Sequence, residues 1–221
     1  MTAKQENTGP NISKLIFVPF LISLAITLLR LVGELQHWPV ALFNPAAGGG
    51  FAVVGISWLV PIFGIYFAVK LVRAGNGPAS AGKAILFALL ALVVFAAGGF
   101  ILGKAGAGPL SLLGFLLFLA AAVIPGAGWK DLFKTLFAYA LSARIPVAIL
   151  MFFAIQGNWG THYDVAPPRF PADVSTMTKF LEIGLLPQLT LWIGFTVAAG
   201  ALFGSVVAAL LPREKKVPQP A

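Results

Sequence analysis

From Leu15 to Gln36 the chain carries only two charged residues, Arg30 and Glu34, and five further apolar runs follow this one. In hydrocarbon every backbone N–H and C=O must find a partner inside the protein, so a run of about 20 apolar residues crosses a bilayer as a helix. The pattern predicts an all-α fold, a polytopic transmembrane helix bundle of six spans. The runs are Leu15 to Gln36, Phe51 to Val72, Ala84 to Gly103, Pro109 to about Gly126, Leu132 to Ile155, and the stretch from Leu181 to Leu211. Ser13 offers a cap for the first helix. Pro61 predicts a kink near the middle of the second, and Pro146 lies inside the fifth. The last stretch is too long for one upright span, so Pro187 is expected to separate a short interfacial helix from a span over Gln188–Leu211.

Composition agrees with this frame. Hydrophobic residues make up 59% of the chain and charged ones 10%, and the mean hydropathy is +0.93, whereas a soluble domain carries about 25% charged residues. The 221 residues leave room for one domain: a polar N-terminal tail over 1–13, a six-helix transmembrane domain over 14–211, and a basic tail over 212–221. The first run lacks a small-residue cleavage site and reads as a retained span. With no cysteine, disulfides, thiol catalysis and Cys-ligated metals are excluded.

The net charge of +8 does not point to nucleic acid, because the basic residues sort by loop. With the N-terminus inside, Lys4, Lys14, Lys70, Arg73, Lys83, Lys130, Lys134, Arg213, Lys215 and Lys216 fall on the cytoplasmic side. Lys104, Arg169 and Lys179 fall outside, and Arg30 and Arg144 lie within spans. Ten against three sets an N-in/C-in orientation by the positive-inside rule. Trp38 and Trp159 then belong to the outer aromatic belt and Trp129 to the inner one. The two substantial loops, 37–50 and 157–180, both face outward. Short inner loops and the absence of cysteine suggest a bacterial plasma membrane, with the lipid bilayer as the surrounding partner.

Polar residues inside the spans are the functional lead, since an Arg at mid-bilayer costs about 2.5–3.5 kcal/mol on insertion scales. Arg144 sits near the centre of the fifth span, with Ala140 and Ala148 one turn away on either side and the hydroxyls of Tyr139 and Ser142 nearby. It reads either as an anion-binding or solute-pathway residue, or as a structural Arg pairing with a carboxylate or with carbonyls freed at Pro146. In the first span, Ser23, Thr27, Arg30, Glu34 and His37 follow a 4-3-4-3 spacing. At a helical periodicity they fall within an arc of about 80°, one polar stripe that must face the bundle, water or another subunit. Arg30 and Glu34 can pair along the helix. The two histidines, His37 and His162, both belong to the outer side. With Glu34 and Asp164 they are weak candidates for a divalent metal site or, as axial ligands, for haem; no ligand motif supports either.

Small residues supply packing surfaces. Gly200, Gly204 and Ala208 recur every four residues in the last span, as do Gly99 and Gly103 in the third, and such rows serve packing within the chain, a homo-oligomer or a partner membrane subunit. Asn44-Pro45-Ala46 matches the aquaporin pore tripeptide, but the second copy and its following Arg are missing, which excludes that family. Six short spans with larger outer loops resemble, in architecture alone, the substrate-binding subunits of energy-coupling-factor transporters. That resemblance implies a solute-binding membrane component. Three classes of function therefore stand. The first is a small solute-binding or permease-like component with an outward-facing polar site. The second is a non-catalytic scaffold or subunit, and the third a haem- or metal-binding anchor. No nucleophile, base and metal are visibly assembled, which speaks against an enzyme.

Overall fold

The computed structural model describes residues 9–50, 52–105, 109–168 and 170–212. Among them there is no strand, and six helical stretches are long and apolar enough to cross a membrane. Lys4, Arg169, Arg213, Lys215 and Lys216 lie outside the described residues, as do most of both tails.

Helix α1 runs over Ile12–Leu35 and is capped by Asn11, whose side chain accepts from the Lys14 amide. Ser13, the cap expected from sequence, lies in the first turn instead. At the other end Trp38 N–H donates to the Gly33 carbonyl and His37 N–H to that of Glu34. This paired closure needs a left-handed residue just past the helix, and His37 takes that place with φ +53°. The helical progression stops at Leu35, so His37 leaves the stripe and its side chain is exposed.

The second span starts later than its hydropathy suggests. A short 3-10 turn over Ile56–Trp58 leads into α2, Leu59–Arg73. Pro61 therefore occupies the first turn, where its missing N–H costs no helical bond, and makes no mid-span kink. The residues before Ile56 fold back over the end of α1. Helices α3 (Ala81–Ala105) and α4 (Pro109–Val123) form a hairpin, closed where Gly98 meets Gly114; a Cβ on Gly98 would stand 3.0 Å from the Gly114 carbonyl oxygen. A 3-10 turn at Ile124–Ala127 carries the chain into α5, Lys130–Gly157.

The last stretch is helical from Thr176 to Leu210, and Pro187 does not divide it. Helix α6 (Thr176–Lys179) passes into a π-helical segment, Phe180–Leu185, then α7 (Leu186–Leu189) and α8 (Leu191–Leu210). Pro187 lies inside this stretch, just after the π-helical segment, where the helical bonding is already irregular. The irregularity lies on either side of it, in the π segment and at Thr190, a turn residue with φ −116° between α7 and α8.

Helix α8 is the centre of the bundle, packed against α2, α3, α4 and α5, while α1 leans chiefly on α5. The row of small residues on α8 is used for this internal packing. A Cβ on Gly204 would lie 2.7 Å from the Gly64 carbonyl oxygen of α2 and 3.0 Å from Leu132 of α5, and Ala208 is buried. Gly200 and Gly204 are thus buried within the chain. Gly99 and Gly103 have nothing within contact distance.

The core gathers Phe67, Leu71, Leu132, Leu136, Tyr139 and Val197, all essentially without exposure. Large apolar side chains also cover the outside, as at Val93 (66% exposed) and Phe100 (69%), the inverse of a water-facing surface. Lys14, Lys70, Arg73, Lys83, Lys130 and Lys134 share one end of the bundle, where Lys14 and Lys70 line a common groove. There Trp129 is buried and donates from Nε1 to the Asn76 carbonyl at 2.9 Å. The opposite end carries Lys104 and Lys179 and the two larger loops, with Trp38 and Trp159 exposed.

Candidate functional site

The polar stripe of α1 is buried over Ser23, Thr27, Arg30 and Glu34. Near its middle Ser23 Oγ meets Tyr139 Oη of α5 at 2.7 Å, and Thr27 returns its hydroxyl hydrogen to the Ser23 carbonyl at 2.9 Å. One turn on, Arg30 Nε donates to Glu34 Oε1 at 2.8 Å, an ion pair four residues apart. One terminal nitrogen of the guanidinium is taken up by backbone: Nη2 donates to the carbonyls of Asn44 (3.1 Å) and Gly49 (2.8 Å).

Those carbonyls are presented by the loop between α1 and α2. Asn44 Oδ1 accepts from Ala46 N–H at 2.9 Å, and Nδ2 donates to the Gly50 carbonyl at 3.1 Å. Gly48, Gly49 and Gly50 all take positive φ, which a side chain would oppose. The three glycines and the Asn44 turn thus form a socket for one arginine.

The loop after α5 forms a roof on the same stripe. Asp164 accepts from Gly160 N–H (3.0 Å), Thr161 N–H (2.7 Å) and the Thr161 hydroxyl (2.8 Å), which winds residues 160–164 into a tight turn. That turn points His162 and Tyr163 down onto α1. His162 N–H donates to Glu34 Oε2 at 2.8 Å, and His162 Nδ1 lies 2.6 Å from Glu34 Oε1. Tyr163 Oη donates to the Thr27 carbonyl at 3.1 Å. Because a carboxylate only accepts, the neutral imidazole carries its proton on Nδ1, leaving Nε2 as an acceptor. Burial holds the His162 pKa below the ordinary histidine value, against the opposing pull of the Glu34 hydrogen bond. Burial likewise raises that of Tyr163, which stays a phenol and a donor.

Beneath the roof lies a cavity of about 380 Å³, walled by α1, α5, the roof and the irregular segment before α8. Arg144 faces it and is 4% exposed. Its Nε has no hydrogen-bond partner, and among the described residues the ion pairs are those of Glu34 with Arg30 and His162, so Arg144 has none. The Arg144 guanidinium lies over the Trp192 ring at 4.7 Å from its centroid. Gln188, one turn before Trp192 in the chain, is also buried and lines the cavity. Its Nε2 reaches Met151 Sδ at 3.5 Å, while its Oε1 has no partner. The exposed Glu182 lines the same cavity without bonding either group. Buried polar atoms are ordinarily satisfied, so two orphans in one wall mark this cavity.

The structure thus brings Thr27, Arg30, Arg144 and His162 to one cavity and ties Ser23 and Glu34 to its supports. His37 is not part of it. Asp164, a candidate ligand from sequence, has both oxygens committed to its own turn. Among the described residues no group of three His, Cys, Asp or Glu side chains is placed to hold a metal ion. Tyr163, Gln188 and Trp192 are the residues the sequence did not single out. The available signals were a His-Tyr-Asp cluster in an otherwise apolar chain and a Gln beside a proline at the head of a span. No family model, curated protein or solved structure matches this chain.

Proposed function

We propose that this chain is an integral membrane protein of six spans, with both ends in the cytoplasm, that binds a small solute from the outer side as a solute-binding or permease-like component. Membrane residence is supported by the six apolar helices and their apolar outer surface. The orientation is supported by the basic residues gathered at one end, which favour the cytoplasmic face of what we take to be a bacterial plasma membrane. The observation that carries the binding role is Arg144. A guanidinium held within a span without an anion is costly, and this one faces a cavity within the usual size range of ligand pockets, about 300–1,000 Å³.

The test is a thermal-shift screen of the purified protein in lipid discs against small anions and neutral solutes. A ligand that binds only the folded state raises its stability in proportion to the logarithm of concentration over Kd. At least one solute should raise the Tm of wild type and leave Arg144→Ala unshifted. A screen in which every stabilising solute acts equally on Arg144→Ala would refute the reading. The scaffold alternative is favoured by one feature, the bare glycines Gly99 and Gly103 on α3; a stoichiometric membrane partner lost on Gly99→Leu would promote it.

A further inference from the structure

We infer that the occupant of this cavity is a monoanionic amphiphile, a carboxylate on an apolar chain or ring; the inference rests on the solute-binding reading and names its ligand class. The first ground is charge. Arg30 is neutralised by Glu34 and bonded by two backbone carbonyls, so among the described residues Arg144 is the lining arginine left without an ion pair. A dianion such as phosphate would meet half the charge it needs beside the buried Arg144, where unpaired charge is expensive.

Geometry is the second ground. The Arg144 guanidinium carbon lies over the Trp192 ring, and the Nε edge of the guanidinium has no partner. A planar carboxylate takes such an edge with two parallel hydrogen bonds. The orphaned Gln188 Oε1 adds an acceptor in the same wall, suited to a hydroxyl or N–H beside the carboxylate.

The remaining wall is the third ground. Val147 and Met151 of α5, Leu191, and Leu102 and Phe115 from the α3–α4 hairpin present apolar side chains, and the Met151 sulfur is taken by Gln188 Nε2. A small hydrophilic anion would leave this surface unfilled, whereas an alkyl or aryl body buries against it. Leu102 and Phe115 belong to helices whose outer faces are apolar, so the same carboxylate can arrive from water or as a fatty acid from the bilayer.

Isothermal titration of the protein in lipid discs, corrected against empty discs, tests this with hexanoate, 1-hexanol and inorganic phosphate. Hexanoate should bind and the other two should not. Arg144→Gln should weaken hexanoate by at least about tenfold, the scale of a lost charge-assisted hydrogen bond. Arg144→Lys, which keeps the charge and loses the fork, should fall between. Should Arg144→Gln fail to fold, the comparison of three ligands on wild type still decides. Displacement of hexanoate by oleate doped into the disc supports a membrane-borne carboxylate, and binding without displacement a water-borne one. Phosphate binding more tightly than hexanoate overturns the ligand class while leaving a solute site in place, as does 1-hexanol binding equally well. Solute binding that ignores Arg144 altogether overturns both.

Discussion

Replacing Glu34 by alanine takes away the one carboxylate that joins α1 to the roof. Three hydrogen bonds end on it: Arg30 Nε at 2.8 Å, His162 N at 2.8 Å and His162 Nδ1 at 2.6 Å. Hydrogen bonds to a charged group are worth about 1.5–3 kcal/mol each. They are not independent here, because the alanine also leaves the Arg30 cation buried without its partner. Breaking a buried pair in this way costs about 3–5 kcal/mol, and Arg30 keeps its two backbone carbonyls, which places the expected loss toward the lower figure. A native protein has only about 5–15 kcal/mol to lose. Helices α2 to α5 pack on α8 and α1 on α5 without the roof, so the loss should fall first on residues 160–164 as a local opening. Hydrogen exchange at the His162 amide reads this directly, since its partner is the deleted oxygen. Exchange there should accelerate by a hundredfold or more, from the same free energy, while amides in the middle of α8 change far less. Unchanged protection at His162 in Glu34→Ala, in a protein that remains folded, would refute the roof-to-stripe coupling.

Three further outcomes follow from the same structure. Because burial lowers the His162 pKa, the unfolded state binds that proton more readily, so the contribution of neutral His162 is complete above its ordinary pKa of about 6.5 and is lost as pH falls toward the lowered value; roof protection should weaken below about pH 6.5, and His162→Asn, which keeps a donor for Glu34, should flatten that dependence. Gly204→Leu should destabilise by at least about 1–3 kcal/mol, the range for overpacking a filled interior, because its Cβ alone would already lie 2.7 Å from the Gly64 carbonyl oxygen; denaturation in detergent reads the difference, and a neutral result would mean α2 and α8 are not held this closely. The chain has no cysteine, so single substitutions report topology cleanly: Ser175→Cys should react with a membrane-impermeant maleimide in intact cells and Ser80→Cys only after permeabilisation, and the reverse pattern would invert the orientation.

How much of this could be read from residues depends on whether the governing interaction is local. Helices and their apolar faces are local, so the six runs mark the six stretches to within a few residues at most ends. The 4-3-4 spacing of Ser23, Thr27, Arg30 and Glu34 is local too, and these four side chains are buried together. The errors came where backbone geometry ends a pattern. His37 continues the spacing on paper, but the helix closes at Leu35 and the left-handed turn carries it out to solvent. Pro61 looks like a break until its place in a first turn is known, and Pro187 until it is seen beside a π-helical segment.

Arg30 and Arg144 make the sharper case. Both are arginines within apolar runs, and the sequence separates them only by the Glu34 that stands four residues after Arg30. What separates them lies in distant chain: Arg30 is met by carbonyls 14 and 19 residues away and its Glu34 by a histidine 128 residues further on. Those partners are supplied by loops whose shape rests on glycine φ values and an Asp164 turn, none of which hydropathy records. The freedom of Arg144 is less legible still, because it is the absence of an interaction, and an absence belongs to the whole surrounding fold. The same reasoning indicates what each residue does. An arginine bonded to a carboxylate of its own helix and to two loop carbonyls holds the loops in place, and replacing it should loosen them. An arginine given a cavity, an aromatic face and no anion loses little internal bonding on replacement, so Arg144→Ala should retain the fold and lose the ligand, while Arg30→Ala should lose the roof first.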